Sequence, residues 1–389
     1  MTRIAADWLT SAASRAVCAA LAAQGHGAWF VGGCVRNALL GAPVSDLDIA
    51  TDARPEQTLA AAEAAGLRAV PTGIDHGTVT VVSGGLPYEV TTFRRDVETD
   101  GRRAVVAFTT SMDEDARRRD FTMNALYAAP EGEVLDPLGQ GLDDLSRRHI
   151  RFIEDPARRI AEDHLRILRF FRFFAWYGDP GAGIDAEGLA ACAEGVEGLS
   201  RLSAERVTAE MLRLLGAPHP AHALAEMAAA GVLARVLPGA DVAHLPALER
   251  LEAAADLPPR WLRRLLVTGG DSGGWRLSNA ERRALEAAER ALAAPEAPAA
   301  RGHLLGEEVA ADVLLAEAAR TGAILAEDAL AEVARGAAAA FPLGAADLMP
   351  PYTPGVALGT ELARLRALWL ADGLRMDRAA LLAQARPPA

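Results

Sequence analysis

The stretch from Trp29 to Thr51, WFVGGCVRNALLGAPVSDLDIAT, constrains this chain more than any other. A short apolar run, Trp29, Phe30 and Val31, stops at Gly32-Gly33. A helix-like segment follows, and a strand-like segment then carries Asp46 and Asp48. Side chains two apart on a strand share a face, so this spacing predicts that Asp46 and Asp48 point together while Leu47 turns away. Two neighbouring carboxylates repel one another unless a cation lies between them, and magnesium, which takes oxygen ligands, suits that place. The glycine pair has no Cβ, so backbone N–H groups there can approach an anion closely. Metal ligands beside a phosphate cradle imply metal-assisted phosphoryl or nucleotidyl transfer. Each half alone is ordinary, because Asp-x-Asp is common at strand ends and Gly-Gly makes turns. The joint pattern, with Asp46 nine residues after Asn37, is what informs.

That pattern resembles the head of the class II CCA-adding tRNA nucleotidyltransferase and bacterial poly(A) polymerase family. The resemblance implies that Asp46 and Asp48 are catalytic ligands of Mg2+ and that Gly32, Gly33 and Arg36 hold a triphosphate. One departure is visible: the family pattern reads VRD, and here Asn37 follows Val35 and Arg36. Asn keeps a side-chain acceptor and loses the charge. A hydrogen-bonding role survives that change; a role needing a carboxylate does not.

A second string, RRDFTMNAL from Arg118 to Leu126, is characteristic of the same family. The planar fork of Arg119 suits two phosphate oxygens. Asp120 and Asn124 lie four apart at what reads as a helix start, where they could hold ribose or position Arg119. Without the resemblance the string is a helix cap. In Tyr88–Arg95, YEVTTFRR, Glu89 is a candidate third carboxylate or an edge-strand acid facing water. The next segment, Asp96–Ala104 (DVETDGRRA), is polar and reads as a loop between strands. In the family a loop here with a similar DGRR goes with addition of the final A, and enzymes adding only C lack it.

Glu162–Ala175, EDHLRILRFFRFFA, reads as one helix. Asp163 and Arg166 are three apart and so share a face, and Glu162 can pair with Arg166 four residues on. Alone this is a surface salt bridge worth little. The segment resembles the family's ED-x-x-R motif, whose Asp and Arg read the incoming base. Cytosine and adenine each offer an amino donor beside a ring acceptor, which a carboxylate and a guanidinium match. Guanine and uracil reverse that pattern and would leave buried groups unpaired. Arg169 and Arg172 continue a basic face, set either along RNA or in water.

With 389 residues the chain has room for several domains. Its net charge of −12 argues against a nucleic-acid partner until the distribution is considered, because all 40 basic residues are Arg and they cluster. Between Arg147 and Arg172 stand eight Arg and four acids. No apolar run is long enough for a membrane span, no signal-peptide pattern opens the chain, and three cysteines lack metal-ligand spacing. The expected location is cytoplasmic. The expected fold is α+β: a head with a mixed, roughly five-stranded sheet over residues 1–140, then helices only. Those divide into a neck (141–215) for nucleotide selection, a body (216–292) and a tail (300–389). In the tail, Gly355, Gly359, Leu362, Leu365 and Trp369 resemble the family helix that cradles the tRNA elbow. The resemblance as a whole implies template-independent addition of C, C and A to tRNA from CTP and ATP, with no protein partner. A poly(A) polymerase, a CC-only enzyme and a catalytically silent RNA-binding protein are the alternatives.

Overall fold

The computed structural model describes residues 2–100, 103–294 and 296–387. The chain forms two compact units, Met1–Glu210 with His222–Val236, and Met211–Ala221 with Leu237–Ala389.

The first unit opens with two helices, Asp7–Thr10 and Ala12–Ala23. Ser11 makes the break: its hydroxyl accepts the N–H of Ser14 and caps the second helix. Nine strands follow: β1 (Ala28–Val31), β2 (Asp48–Thr51), β3 (Arg68–Gly73), β4 (Thr78–Ser83), β5 (Leu86–Thr92), β6 (Arg94–Asp100), β7 (Arg103–Phe108), β8 (Tyr127–Ala128) and β9 (Val134–Leu135). Seven build one mixed sheet in the order β3-β4-β5-β2-β1-β8-β9, in which β2 and β5 run parallel. The two strands beyond the five legible in sequence, β8 and β9, have two residues each. A dipeptide has no period to read.

The segment expected to be a loop after Phe93 is instead a two-stranded antiparallel ribbon, β6 with β7. Val97, Thr99, Val105 and Val106 are strand-favouring residues on its two arms, and they outweigh the polarity of the segment. Gly101 and Arg102, in the middle of the DGRR string, lie outside the described residues.

Strand alternation gives the sheet two different faces. Phe30, Ile49, Val79, Val81, Tyr88 and Val90 are buried on one of them. That face packs against the helices Ala12–Ala23 and Pro55–Ala64, with the Ser14 and Tyr88 hydroxyls 3.1 Å apart. On the opposite face Trp29, Val31 and Ala50 sit under Phe93, Ala116, Tyr127 and Ile153. That cover stops short of the β4–β5 end, where Thr80 and Val82 are half-buried and Pro87 and Glu89 exposed.

Four phenylalanines fasten the helix Leu165–Tyr177 to the chain beside the sheet. Phe121 and Phe152 form a β-bridge, with ring centroids 5.0 Å apart. Phe170 stacks on Phe152 at 5.2 Å and Phe173 meets Phe121 at 5.0 Å. Aromatic pairs at such spacing contribute about 0.5–1.5 kcal/mol each beyond the area they bury.

The second unit is helical. The helices Pro298–Leu305 and Ala329–Ala338 cross closely because both contact points are glycine: a Cβ on Gly302 or Gly336 would run into the Val333 or Ala299 carbonyl. Its most buried cations are Arg263 and Arg264, each 1 % exposed. Glu252 takes one N–H from each, at 2.9 and 2.8 Å, while Asp312 accepts from Arg263 at 3.0 Å. Arg264 also donates to the carbonyls of Leu215 and Pro218, at 2.7 and 3.3 Å, and so fixes the chain as it leaves the helix Ala204–Leu215. Removing one member of a buried ion network strands the others. Glu252→Ala is therefore expected to lower the stability of this unit by about 3–5 kcal/mol, read as a shift of the urea midpoint.

Candidate active site

Three groups of side chains meet at one end of the sheet. The first is acidic. The parallel pairing of β2 with β5 sets Asp48 directly beside Glu89. Asp46 is not on the strand, which begins at Asp48, so alternation does not orient it as expected. The preceding segment is held away from the sheet, its Pro43 carbonyl accepting the Asn37 side-chain amide at 2.8 Å. Asp46 is exposed and accepts the Ser45 hydroxyl at 3.0 Å. All three acids nevertheless line one cleft of 660 Å³, together with Ser45, Leu47, Thr80, Leu86 and Pro87. Burial and then repulsion from Glu89 push the Asp48 carboxyl up to about 6, with Arg119 pulling the other way. Among the described residues no three such groups gather as a ready-made metal site, but the Asp48–Glu89 pair supplies hard oxygen donors of the kind a divalent cation takes together with substrate phosphates and water.

The second group is a cradle beside those acids. The antiparallel β1–β2 register, Phe30 with Ile49, carries Val31 to the level of Asp48 and puts Gly32 one residue beyond it. Gly32 has φ 73° and ψ −120°, which only glycine adopts without strain, and a Cβ there would lie 3.5 Å from Arg119 Nη1. Gly33 then begins the helix Gly33–Leu40, whose N-terminal N–H groups suit an anion. Arg119 is held by Asp115, with Nη2 to Oδ2 at 3.0 Å, and by the Tyr127 hydroxyl at 3.2 Å from Nε. Asp115 is 1 % exposed and also takes Arg118 and the Tyr127 hydroxyl, at 2.8 and 2.6 Å. Burial alone would raise its carboxyl; Arg119, Arg118 and Tyr127 outweigh that and hold it well below the usual carboxylate range.

Arg36 has only neutral hydrogen-bond partners. It donates to Asn37 Oδ1 from Nε (3.1 Å) and Nη2 (2.9 Å), to Asn124 Oδ1 (2.6 Å) and to the Tyr177 hydroxyl (2.8 Å). Its guanidinium stacks 4.0 Å from the Tyr177 ring centroid. Asn37 thus supplies the acceptor that its side chain retains, and its amide uses the donor that an Asp would lack.

Asp120 and Asn124 do come together, at 2.9 Å, on a 3-10 turn, Thr122–Asn124. They do not position Arg119. Asp120 pairs instead with Arg169, Nε to Oδ2 at 2.7 Å, which with Asn124 keeps its carboxyl at about 2 against the penalty of burial. Arg36, Asn124, Asp120 and Arg169 therefore form one chain of hydrogen bonds from the cradle to the helix Leu165–Tyr177.

The third group corrects the expected helix. Glu162 ends one helix, Pro156–Glu162, and Leu165 begins the next. Asp163 lies between them with extended backbone (φ −155°, ψ 105°), so it shares no helix face with Arg166. Its Oδ1 accepts the Leu165 N–H at 3.1 Å and competes with continued helix. Its Oδ2 takes Arg206 at 2.6 Å. Arg166 pairs with Glu162 at 2.5 Å and donates to the Arg159 and Arg118 carbonyls at 2.9 and 3.1 Å. Arg172, expected on an exposed basic face, is buried against Glu210 at 2.5 Å, and Arg169 is likewise spent on Asp120. The face is internal because Phe170, Phe171 and Phe173 bury that side of the helix.

Sequence reasoning passed over Asp115, Tyr127, Tyr177 and Arg206. Asp115 stands four residues before Arg119, the spacing of a helical ion pair, and was findable. Tyr127, Tyr177 and Arg206 reach their partners only through the tertiary fold.

A family model described as the Poly A polymerase head domain matches residues 28–151. A second, described as a probable RNA and SrmB-binding site of polymerase A, matches residues 183–243. The CCA-adding enzyme of Anoxybacillus flavithermus is 42% identical over 204 residues, 52% of this chain and 49% of that protein. The mitochondrial CCA tRNA nucleotidyltransferase 1 of Homo sapiens is 40% identical over 200 residues, 51% and 46% of the two chains. This chain spans about half the length of the curated relatives it matches. The Bacillus stearothermophilus CCA-adding enzyme in complex with CTP superposes with a TM-score of 0.74 at 30% identity, covering 96% of this chain and 95% of that one. The Thermotoga maritima CCA-adding enzyme complexed with tRNA_CCA shares the fold at a TM-score of 0.67 and 20% identity, over 95% and 93% of the two chains.

The Asn37 contacts give a direct test. Asn37→Leu leaves two Arg36 N–H groups without their acceptor and is expected to cost about 1–3 kcal/mol of stability. Asn37→Asp keeps the acceptor and is expected to cost less than about 1 kcal/mol. Urea unfolding of the two variants separates them.

Proposed function

We propose, from the premise that this chain belongs to the CCA-adding enzyme family, that it extends the 3′ end of tRNA by C, C and A from CTP and ATP. The observation that carries this reading is the adjacency of the Asp48–Glu89 acid pair to the Gly32–Arg119 cradle. The tRNA 3′-hydroxyl oxygen bonds to the α-phosphorus, the bond to the bridging oxygen breaks, and pyrophosphate leaves. Asp46 and Asp48 would hold magnesium, with Glu89 the third acid beside them. Magnesium supplies a lowered pKa for the attacking hydroxyl and charge compensation for pyrophosphate. Gly32 and Gly33, with Arg36 and Arg119, bind the triphosphate: the Gly32 N–H is taken by the Leu126 carbonyl at 3.2 Å, so Gly32 contributes close approach and Gly33 the backbone N–H at the helix start. Asp120 and Asn124 connect that cradle to the neck through Arg169.

Asp163 and Arg166 choose the base. A carboxylate has about four lone-pair sites and a guanidinium five N–H groups. Asp163 uses two sites, on Leu165 and Arg206, so acceptor capacity remains for an amino group. Arg166 uses three donors, on Glu162 and two carbonyls, so donors remain for a ring nitrogen. Cytosine and adenine fit that pair.

The division into head (1–140), neck (141–215), body (216–292) and tail (300–389) is the functional one we adopt, with tRNA held along neck and tail. Leu365 and Trp369 of the tail helix are buried in its core, so contact with RNA falls to other faces of Val356–Ala371. No helix of the described residues is long and apolar enough to cross a membrane. The three cysteines are free and buried, which suits a reducing cytoplasm.

The test is incubation of tRNA lacking its 3′ CCA with magnesium and each nucleoside triphosphate, singly and together, followed by sequencing of product ends. Addition of C, C, A and then arrest is expected. A long A tract would make the chain a poly(A) polymerase, two C residues alone a CC-adding enzyme, and binding without addition a silent RNA-binding protein. Asp46→Ala and Asp48→Ala are expected to abolish addition with the circular-dichroism spectrum unchanged. Asp163→Ala is expected to let UTP and GTP compete.

A further inference from the structure

Three guanidinium groups gather round one aromatic ring. The Cζ atoms of Arg172, Arg36 and Arg169 lie 4.6, 5.2 and 5.2 Å from the ring centroid of Phe173 in the helix Leu165–Tyr177. Arg169 is paired with Asp120 and Arg172 with Glu210. Arg36 is 6 % exposed and meets no carboxylate within hydrogen-bond reach among the described residues. A guanidinium does not give up its proton, so its charge has to be accommodated. Of its five N–H groups, two go to Asn37 Oδ1, one to Asn124 Oδ1 and one to the Tyr177 hydroxyl. The fifth, on Nη1, has no partner among the described residues, and the cluster holds one cation more than it holds acids.

The cradle glycines show where that cation is held. A Cβ on Gly33 would lie 3.7 Å from Arg36 Nη2, as one on Gly32 would lie 3.5 Å from Arg119 Nη1. The two guanidinium groups flank the glycine pair but are fixed by different means. Asp115 fixes Arg119 with a carboxylate at 3.0 Å. Tyr177 fixes Arg36 with two neutral contacts, its hydroxyl accepting from Nη2 at 2.8 Å and its ring centroid 4.0 Å from Cζ. A ring face attracts a cation without cancelling its charge. Tyr177 is itself placed by the last turn of its helix, its ring centroid 5.5 Å from that of Phe173 four residues before. We propose that Tyr177 is a positioning residue for the nucleotide: it holds Arg36 beside Gly33 as an unneutralised cation, and the triphosphate supplies the missing negative charge. It acts through Arg36 and touches no substrate itself. This role rests on the nucleotidyl-transfer reading above and deepens it. A carboxylate at position 37 would hold Arg36 by the other means, since it would take the two N–H groups now on Asn37 as a charge-assisted fork.

The test uses the full-length protein with magnesium in excess. Three constants are read: Kd for CTP by calorimetry, Ki of inorganic tripolyphosphate against CTP, and Kd for tRNA by fluorescence anisotropy. Tyr177→Leu is expected to weaken CTP and tripolyphosphate about tenfold and to leave Kd for tRNA unchanged. Tyr177→Phe, which keeps the ring and loses the hydroxyl, is expected to weaken both about threefold, and it decides alone if the Leu variant does not fold. Adding Asn37→Asp to Tyr177→Leu is expected to restore most of the lost affinity, which a merely structural role would not allow. Adding Tyr177→Leu to Arg36→Ala is expected to change nothing further, because the two act as one unit. Variants that keep the wild-type constants for CTP and tripolyphosphate overturn the proposal, as do equal losses for CTP and tRNA, additivity with Arg36→Ala, or no restoration by Asn37→Asp. A wild type that binds CTP and tripolyphosphate yet adds no nucleotide to tRNA defeats the transfer reading, while the same constants still decide the role of Tyr177. A wild type that binds neither overturns both.

Discussion

The parallel pairing of β2 with β5 is the constraint on which the rest of the site depends. In an otherwise antiparallel sheet it brings the start of β2 beside the middle of β5, so that Asp48 and Glu89 stand side by side. Their repulsion, added to burial, moves the Asp48 carboxyl to about 6. The fold tolerates this because the hydrophobic helices lie on the opposite face, behind Ile49 and Val90, and keep the strands in register whatever the acids cost. The site's demand for a cation is thus built into strand order.

Around that pairing the guanidinium groups have distinct assignments. Arg119 is tied through Asp115 and Tyr127 to the sheet itself, which makes it rigid relative to Asp48. Arg166 is tied to Glu162 and to the Arg118 carbonyl, one residue from Arg119. Arg166 and Arg119, the cations proposed to select the base and hold the phosphates, are therefore anchored to neighbouring points of one segment, which the Phe121–Phe152–Phe170 packing locks against the helix Leu165–Tyr177. A nucleotide gripped at both ends is oriented with little freedom left, and that is where positioning contributes to rate.

The head was legible because its signals are local. Gly-Gly after an apolar run, two aspartates in a row and β-branched strands each report their own backbone. What escaped was of two kinds. Asp163 was misplaced since its carboxylate competes with the backbone for the Leu165 N–H, and helical spacing alone cannot register that competition. Asp46 was put on a strand that starts two residues later, because strand ends follow pairing with a partner rather than the composition of the strand. Tyr127, Tyr177 and Arg206 matter only through residues 8 to 141 positions away, and no period connects them. The arginine cluster divides: Arg147, Arg148 and Arg158 are exposed, while Arg159 and Arg172 are buried against carboxylates.

That last point bears on how the charge of an acidic protein is distributed. Arg169, Arg172 and Arg166 each spend their charge on Asp120, Glu210 or Glu162. These guanidinium groups then serve as shape, because a planar fork held by a carboxylate presents fixed donors and aromatic-stacking edges rather than a free positive field. Arg147, Arg148 and Arg158 stay exposed in the same stretch. On the proposed function these outer groups, and not the buried inner ones, are the cations a phosphate backbone would meet, because only a charge open to solvent releases counterions.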